Sequence, residues 1–165
     1  MNTLKLTLLV ALYPFLTTSM TSCPACMAAA LAFTSTDTNA NTCALMIGEE
    51  NDPEETLTVE GVKLTFCCGS CVSKFEDNVA YYIKSSAQLF SKFTEAQRDK
   101  LGVNKVELLE QTRCPIYPDR LINPNSPTAE YKNTTVYFWS SSALRRWKRD
   151  PDGYYEQAKA AGVLK

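Results

Sequence analysis

The chain has 165 residues, 45% of them hydrophobic and 21% charged, which suits one ordinary domain or two small ones. Its 17 basic and 18 acidic side chains leave a net charge of −1, without the surplus of Lys and Arg by which nucleic-acid binders displace counterions from phosphate. Seven cysteines and no histidine exclude Ser-His-Asp and Cys-His catalysis and make thiolate the obvious donor for any metal.

Residues 1–32 read as a leader. Lys5 precedes an apolar run through Leu6, Leu9, Val10, Ala11, Leu12 and Phe15, which is too short to span a bilayer and is interrupted by Pro14. A secretory signal peptide is expected, placing the mature chain outside the cytoplasm: secreted, periplasmic or membrane-anchored. The stretch Ser19 to Cys23 loosely resembles a bacterial lipobox, so lipidation of Cys23 would be the one route to a membrane. Ala30, Leu31 and Ala32 offer an alternative cleavage pattern. Cys23 and Cys26 form a C-x-x-C, but no βαβ pattern surrounds it, so a leader remnant is favoured over a redox site.

Beyond the leader the sequence repeats itself. A shift of 71 carries Cys43 onto Cys114; a shift of 72 carries Phe66 onto Phe138, Phe75 onto Trp147 and Tyr82 onto Tyr154. In the first copy, Leu57 and Val59 alternate before a turn at Glu60 and Gly61, and Val62, Leu64 and Phe66 alternate after it, predicting a β-hairpin with one buried face. A short helix should start at Gly69 and Ser70, and its counterpart at Ser140 to Ser142, with Leu144 and Trp147 inward and Arg145, Arg146, Lys148 and Arg149 outward. Between the copies, Ser85 to Leu101 reads as helical, with a capping box at Thr94 and Gln97 and a C-cap at Gly102; Val103 to Gln111 fits strand or helix equally. Asp150 to Gly153 reads as a break before a last helix over Tyr154 to Ala161. The expectation is therefore an α+β chain of two small ββα repeats, at 43–84 and 112–165, joined by a helical linker over 85–111. Residues 33–110 carry net −6 and residues 111–165 net +4, a contrast that favours packing one half against the other.

Cys67, Cys68, Gly69, Ser70 and Cys71 form a knuckle between the hairpin and the helix. A Gly-containing turn lets two thiolates converge, the helix start favours negative charge there, and Cys43 offers a third thiolate from upstream. Three thiolates suffice for trigonal Cu(I), whereas tetrahedral Zn²⁺ wants a fourth ligand. Cys68, Cys114, Cys26 or water is the candidate, and Met46 could add a thioether.

These residues carry a resemblance. The phrase VEGVKLTFCCGSCVSKFEDN, preceded by Cys43 and followed by Tyr81 and Tyr82, resembles the YHS and TRASH group of treble-clef-like metal-binding domains, over residues 43–82 and, in degenerate form, 114–155. The resemblance implies Cys43, Cys67 and Cys71 as ligands and a role in heavy-metal trafficking, sensing or resistance. It departs from the pattern at Val79, where the family's tail carries Pro. In the second copy Trp139 and Ala143 replace two ligands, so no metal is carried over there. A redox enzyme using Cys23 and Cys26, or the adjacent Cys67 and Cys68, is the least favoured reading, and two function classes stand ahead of it. One is a non-enzymatic protein whose partners are a soft metal ion, Zn²⁺ or Cu(I), and an unidentified protein; the other is a disulfide-stabilised interaction domain without metal.

Overall fold

The computed structural model describes residues 41–165. The leader, its cleavage patterns, Cys23 and Cys26 lie outside the described residues. The architecture is mixed α+β: two separate two-stranded antiparallel sheets, each followed by short helices, around one core. No helix among the described residues is long and apolar enough to cross a membrane.

Strands β1 (Asp52–Val59) and β2 (Val62–Phe66) pair as the alternation requires, with Leu57 opposite Leu64 and Val59 opposite Val62. Glu60 and Gly61 both take positive φ, 47° and 78°, the pair of left-handed residues that a tight hairpin turn needs. The register breaks between Asp52 and Thr56, where Pro53 has no N–H to give the ladder, and three residues bulge out of β1. Strands β3 (Thr128–Tyr131) and β4 (Thr134–Tyr137) form the second hairpin, turning at Lys132 and Asn133 with φ of 49° and 61°.

After β2 come α1 (Gly69–Asp77) and α2 (Val79–Ser85); after β4 come α5 (Ser141–Trp147) and α6 (Pro151–Ala160). The ring of Phe66 lies 5.3 Å from that of Phe75, and the ring of Phe138 lies 5.3 Å from that of Trp147. All four side chains are buried, so in each half an aromatic at the end of the second strand packs against one on the following helix. Backbone pairing recurs as well. The N–H groups of Cys43, Glu49 and Asn51 donate to the carbonyls of Glu49, Met46 and Asn41 (2.8, 3.2 and 2.8 Å). Seventy-one positions later, those of Cys114, Arg120 and Ile122 donate to Arg120, Tyr117 and Thr112 (3.0, 3.0 and 3.1 Å).

The intervening segment differs from the expected single helix. It breaks into α3 (Ala87–Phe90) and α4 (Glu95–Lys100), followed by a 3-10 turn at Val103–Lys105. Polar caps cause the breaks. Ser86 is extended and accepts from the Leu89 N–H, and Thr94 and Gln97 form the full capping box, so each starts a new helix instead of continuing the old one. Gly102 takes φ 73°, ending α4 as expected, and residues 106–111 form no regular element. The last helix also starts earlier than expected. Asp150 caps it by accepting from the Gly153 N–H, and Pro151 occupies its first turn, where a missing N–H costs nothing. On α5, Ala143 is fully buried and Leu144 only half-buried, while Arg145, Arg146, Lys148 and Arg149 face solvent.

Candidate metal centre

Leu64 and Phe66 are buried on one face of β2, which brings the next residues, Cys67 and Cys68, to the edge of the core. The backbone at Cys68 is extended (φ −168°, ψ 160°), and α1 begins at once with Gly69. The carbonyl of Cys68 accepts from the N–H groups of Cys71 and Val72 (3.0 and 3.3 Å), folding the knuckle so that Cys71 points inward, fully buried.

Cys43 arrives on a loop that the other half of the molecule clamps. Leu121 N–H donates to Leu45 O (3.0 Å) and Ile47 N–H to Asp119 O (2.7 Å). The loop is thereby held flat against residues 119–121, with Cys43 and Leu45 in the core. The Sγ atoms of Cys43, Cys67 and Cys71 all lie within 4.8 Å of one another, a cluster that could hold a metal ion. Cys67 and Cys71 are 3.6 Å apart. Two further sulfurs adjoin them: Met46 Sδ, 3.6 Å from Cys67 Sγ, and Cys68 Sγ, 3.6 Å from Cys71 and 3.8 Å from Cys67.

The electrostatics are those of one shared negative charge. The hydrogen bond from Cys71 outweighs burial and, with the backbone N–H groups of Cys67, Leu45 and Met46, lowers Cys43 to about 5. Burial, then the hydrogen bond to Cys43 and its charge, push Cys67 up to about 12. Cys71, hydrogen-bonded to Cys43 and buried, is pushed far above the ordinary thiol range. Cys68 is different. Burial opposes its ionisation, but hydrogen bonds from the Ser70 hydroxyl (3.0 Å) and the Cys71 backbone more than offset that and hold it below the ordinary value. These shifts favour ionisation of Cys43 ahead of Cys67 and Cys71. Three thiolates gathered in a low-dielectric pocket repel one another, and a cation among them removes that cost.

Cys114 is fully buried and is not a member of this cluster. In its half, the positions aligned with Cys67 and Cys71 hold Trp139 and Ala143, both buried. Lys74 Nζ lies 4.6 Å from the centre of the Trp139 ring, and the Arg120 guanidinium lies 5.9 Å from it. That pocket therefore already has a flat ring and two cations beside it, a poor setting for a metal ion. The Ser70 contact to Cys68 and the cations over Trp139 were not signalled by the sequence, since both depend on how knuckle and loop fold.

Comparison of the chain with protein-family models, with curated proteins and with solved structures finds no match.

Proposed function

We propose that this chain is an extracytoplasmic protein that binds a soft metal ion, Cu(I) or Zn²⁺, through the thiolates of Cys43, Cys67 and Cys71, and that it serves in metal trafficking, sensing or resistance without catalysing a reaction. The observation that carries this reading is the convergence of three Sγ atoms within 4.8 Å, two of them on almost wholly buried residues. A metal–sulfur bond of about 2.3 Å puts the sulfurs of a tetrahedral site about 3.8 Å apart, so the spacing needs little adjustment to close on an ion. The surrounding donors are sulfur as well, which suits a soft ion. The resemblance of residues 43–82 to YHS and TRASH domains supports the same reading. So do the backbone bonds and aromatic pairs shared by the two halves, which fit a duplicated unit whose second copy has exchanged its ligands for Trp139 and Ala143. The apolar run near the N-terminus supports export.

The second reading, a domain whose cysteines pair as disulfides, draws on the same proximity, because Cys67 and Cys71 lie close enough to oxidise after small side-chain rotations. Mass spectrometry of the mature protein under native and denaturing conditions separates the two. One ion per chain, with all cysteines recovered as thiols after denaturation, supports the metal reading. Loss of two hydrogens per cysteine pair with no bound metal would overturn it.

A further inference from the structure

The sulfur cluster has an inside and an outside. Cys67 and Cys71 are shared by two triangles of sulfur: an inner one closed by Cys43 and an outer one closed by Cys68. The sides of the outer triangle are 3.6, 3.6 and 3.8 Å, close to the sulfur spacing of a closed thiolate site. Burial divides the two third vertices. Cys43 is 2% exposed, whereas Cys68 is only partly covered and its Sγ meets the exposed Ser70 hydroxyl. The bulge in β1 adds charge at that mouth. A Cβ on Gly69 would lie 3.4 Å from the Glu55 carboxylate, so a negative group stands over the first turn of α1 next to Cys68.

Resting on the metal-site reading above, we propose that Cys68 is the exchange ligand of this site: the ion rests in the inner triangle and enters and leaves through the outer one, and is handed to an acceptor that itself offers thiolate or another soft donor. The step needs no redox chemistry. Cys68 gives its proton to water as its sulfur bonds the ion, the bond to Cys43 breaks, and the freed Cys43 sulfur keeps its electron pair. Cys67 and Cys71 hold the ion throughout, so it is never released bare into water. An acceptor sulfur then replaces Cys68 from the exposed side. Cys68 changes the path and not the end states, which sets it apart from a resident ligand.

The experiment compares wild type with Cys68→Ser and Cys68→Ala, each loaded with Zn²⁺ or Cu(I). Affinity is read by competition with a chelator, and transfer by stopped-flow release to excess pyridylazoresorcinol for Zn²⁺ or bathocuproine disulfonate for Cu(I). The expected result is one ion per chain in both variants, and transfer slower by at least about tenfold at equal acceptor concentration, whereas loss of a resident ligand would speed release. A second measurement needs no substitution: brief iodoacetamide treatment of the loaded wild-type protein should alkylate Cys68 while Cys43, Cys67 and Cys71 are protected, and the alkylated protein should keep its ion and release it slowly. Unchanged transfer rates, or protection of Cys68 equal to that of the other three, overturn the proposal while leaving the metal site intact. Failure of the wild-type protein to bind either ion overturns the metal site itself, and this proposal with it.

Discussion

The thiol of Cys67 lies 3.6 Å from the thioether sulfur of Met46, across 21 positions of sequence. A thioether is neutral and soft, a competent ligand for Cu(I) and a poor one for Zn²⁺. Met46 therefore bears on which ion the site prefers. Replacing Met46 with Leu keeps the volume and removes the sulfur. Affinity for Cu(I) should fall by about tenfold or more while that for Zn²⁺ stays within about threefold, as measured by chelator competition for each ion. Equal losses for both would assign Met46 to packing alone.

Protonation gives a second handle. Cys43 is lowered from 9.0 to about 5, so its contribution favours the folded metal-free state fully above pH 9 and is lost as pH falls through about 5. Cys67, raised to about 12, acts in the opposite sense and penalises the folded state as pH climbs from 9 towards 12. At pH 7 the site thus starts with one thiolate, and loading an ion onto three should release about two protons. Proton release into a weakly buffered solution during titration measures this. As the pH falls, the ultraviolet thiolate absorption of the metal-free protein should show a step near pH 5 that is missing from Cys43→Ser. Release of three protons at pH 7 would show that Cys43 is not preionised.

Cys71 and Cys114 are both fully buried, yet only Cys71 has partners in the sulfur cluster. Cys71→Ser should abolish high-affinity metal binding, whereas Cys114→Ser should leave most of it, with equilibrium dialysis at one ion per chain as the readout. The Cys114 change has a different consequence, since it puts a hydroxyl in an apolar pocket and should cost about 1–3 kcal/mol of stability. Equal loss of binding from the two substitutions would place Cys114 at the ion.

How much of this was legible depended on how local each feature is. The first hairpin could be read because Leu57, Val59, Val62 and Leu64 alternate on both sides of a Glu-Gly turn, and the same residues face one another in the ladder. The capping box at Thr94 and Gln97 was equally local, although its effect on the helix before it was not: apolar periodicity runs through Ser86 and Ser91 without marking the breaks. Pro151 reads as a breaker only if it is taken alone; with Asp150 before it the pair is a local helix-start signal, an N-cap followed by Pro at the first helical position. The knuckle supplied Cys67 and Cys71 by spacing. The approach of Cys43 and Met46 is different, because the loop that carries them is fixed by backbone bonds to Asp119 and Leu121, more than seventy positions away. No nearby residue encodes that contact.

The same long-range dependence makes one buried hydrogen bond worth testing. Asn123 Nδ2 donates to the hydroxyl of Tyr82 (3.0 Å), and both residues are almost fully buried. Asn123 is itself held in a tight turn, its Oδ1 accepting from the Asn125 N–H (2.8 Å). Tyr82 stacks on Phe75 at 6.3 Å, and Phe75 lies on α1, the helix that carries Cys71. The bond thus ties the segment before β3 to the helix beneath the sulfur cluster. Asn123→Ala leaves the tyrosine hydroxyl without its donor and should cost about 1–3 kcal/mol in urea denaturation. Tyr82→Phe should cost a similar amount by stranding the amide. The double variant should lose less than the sum of the two, by about 0.5–3 kcal/mol, because the second substitution removes a group the first has already orphaned. Strict additivity would mean that the two side chains are neighbours without a bond that matters to the fold.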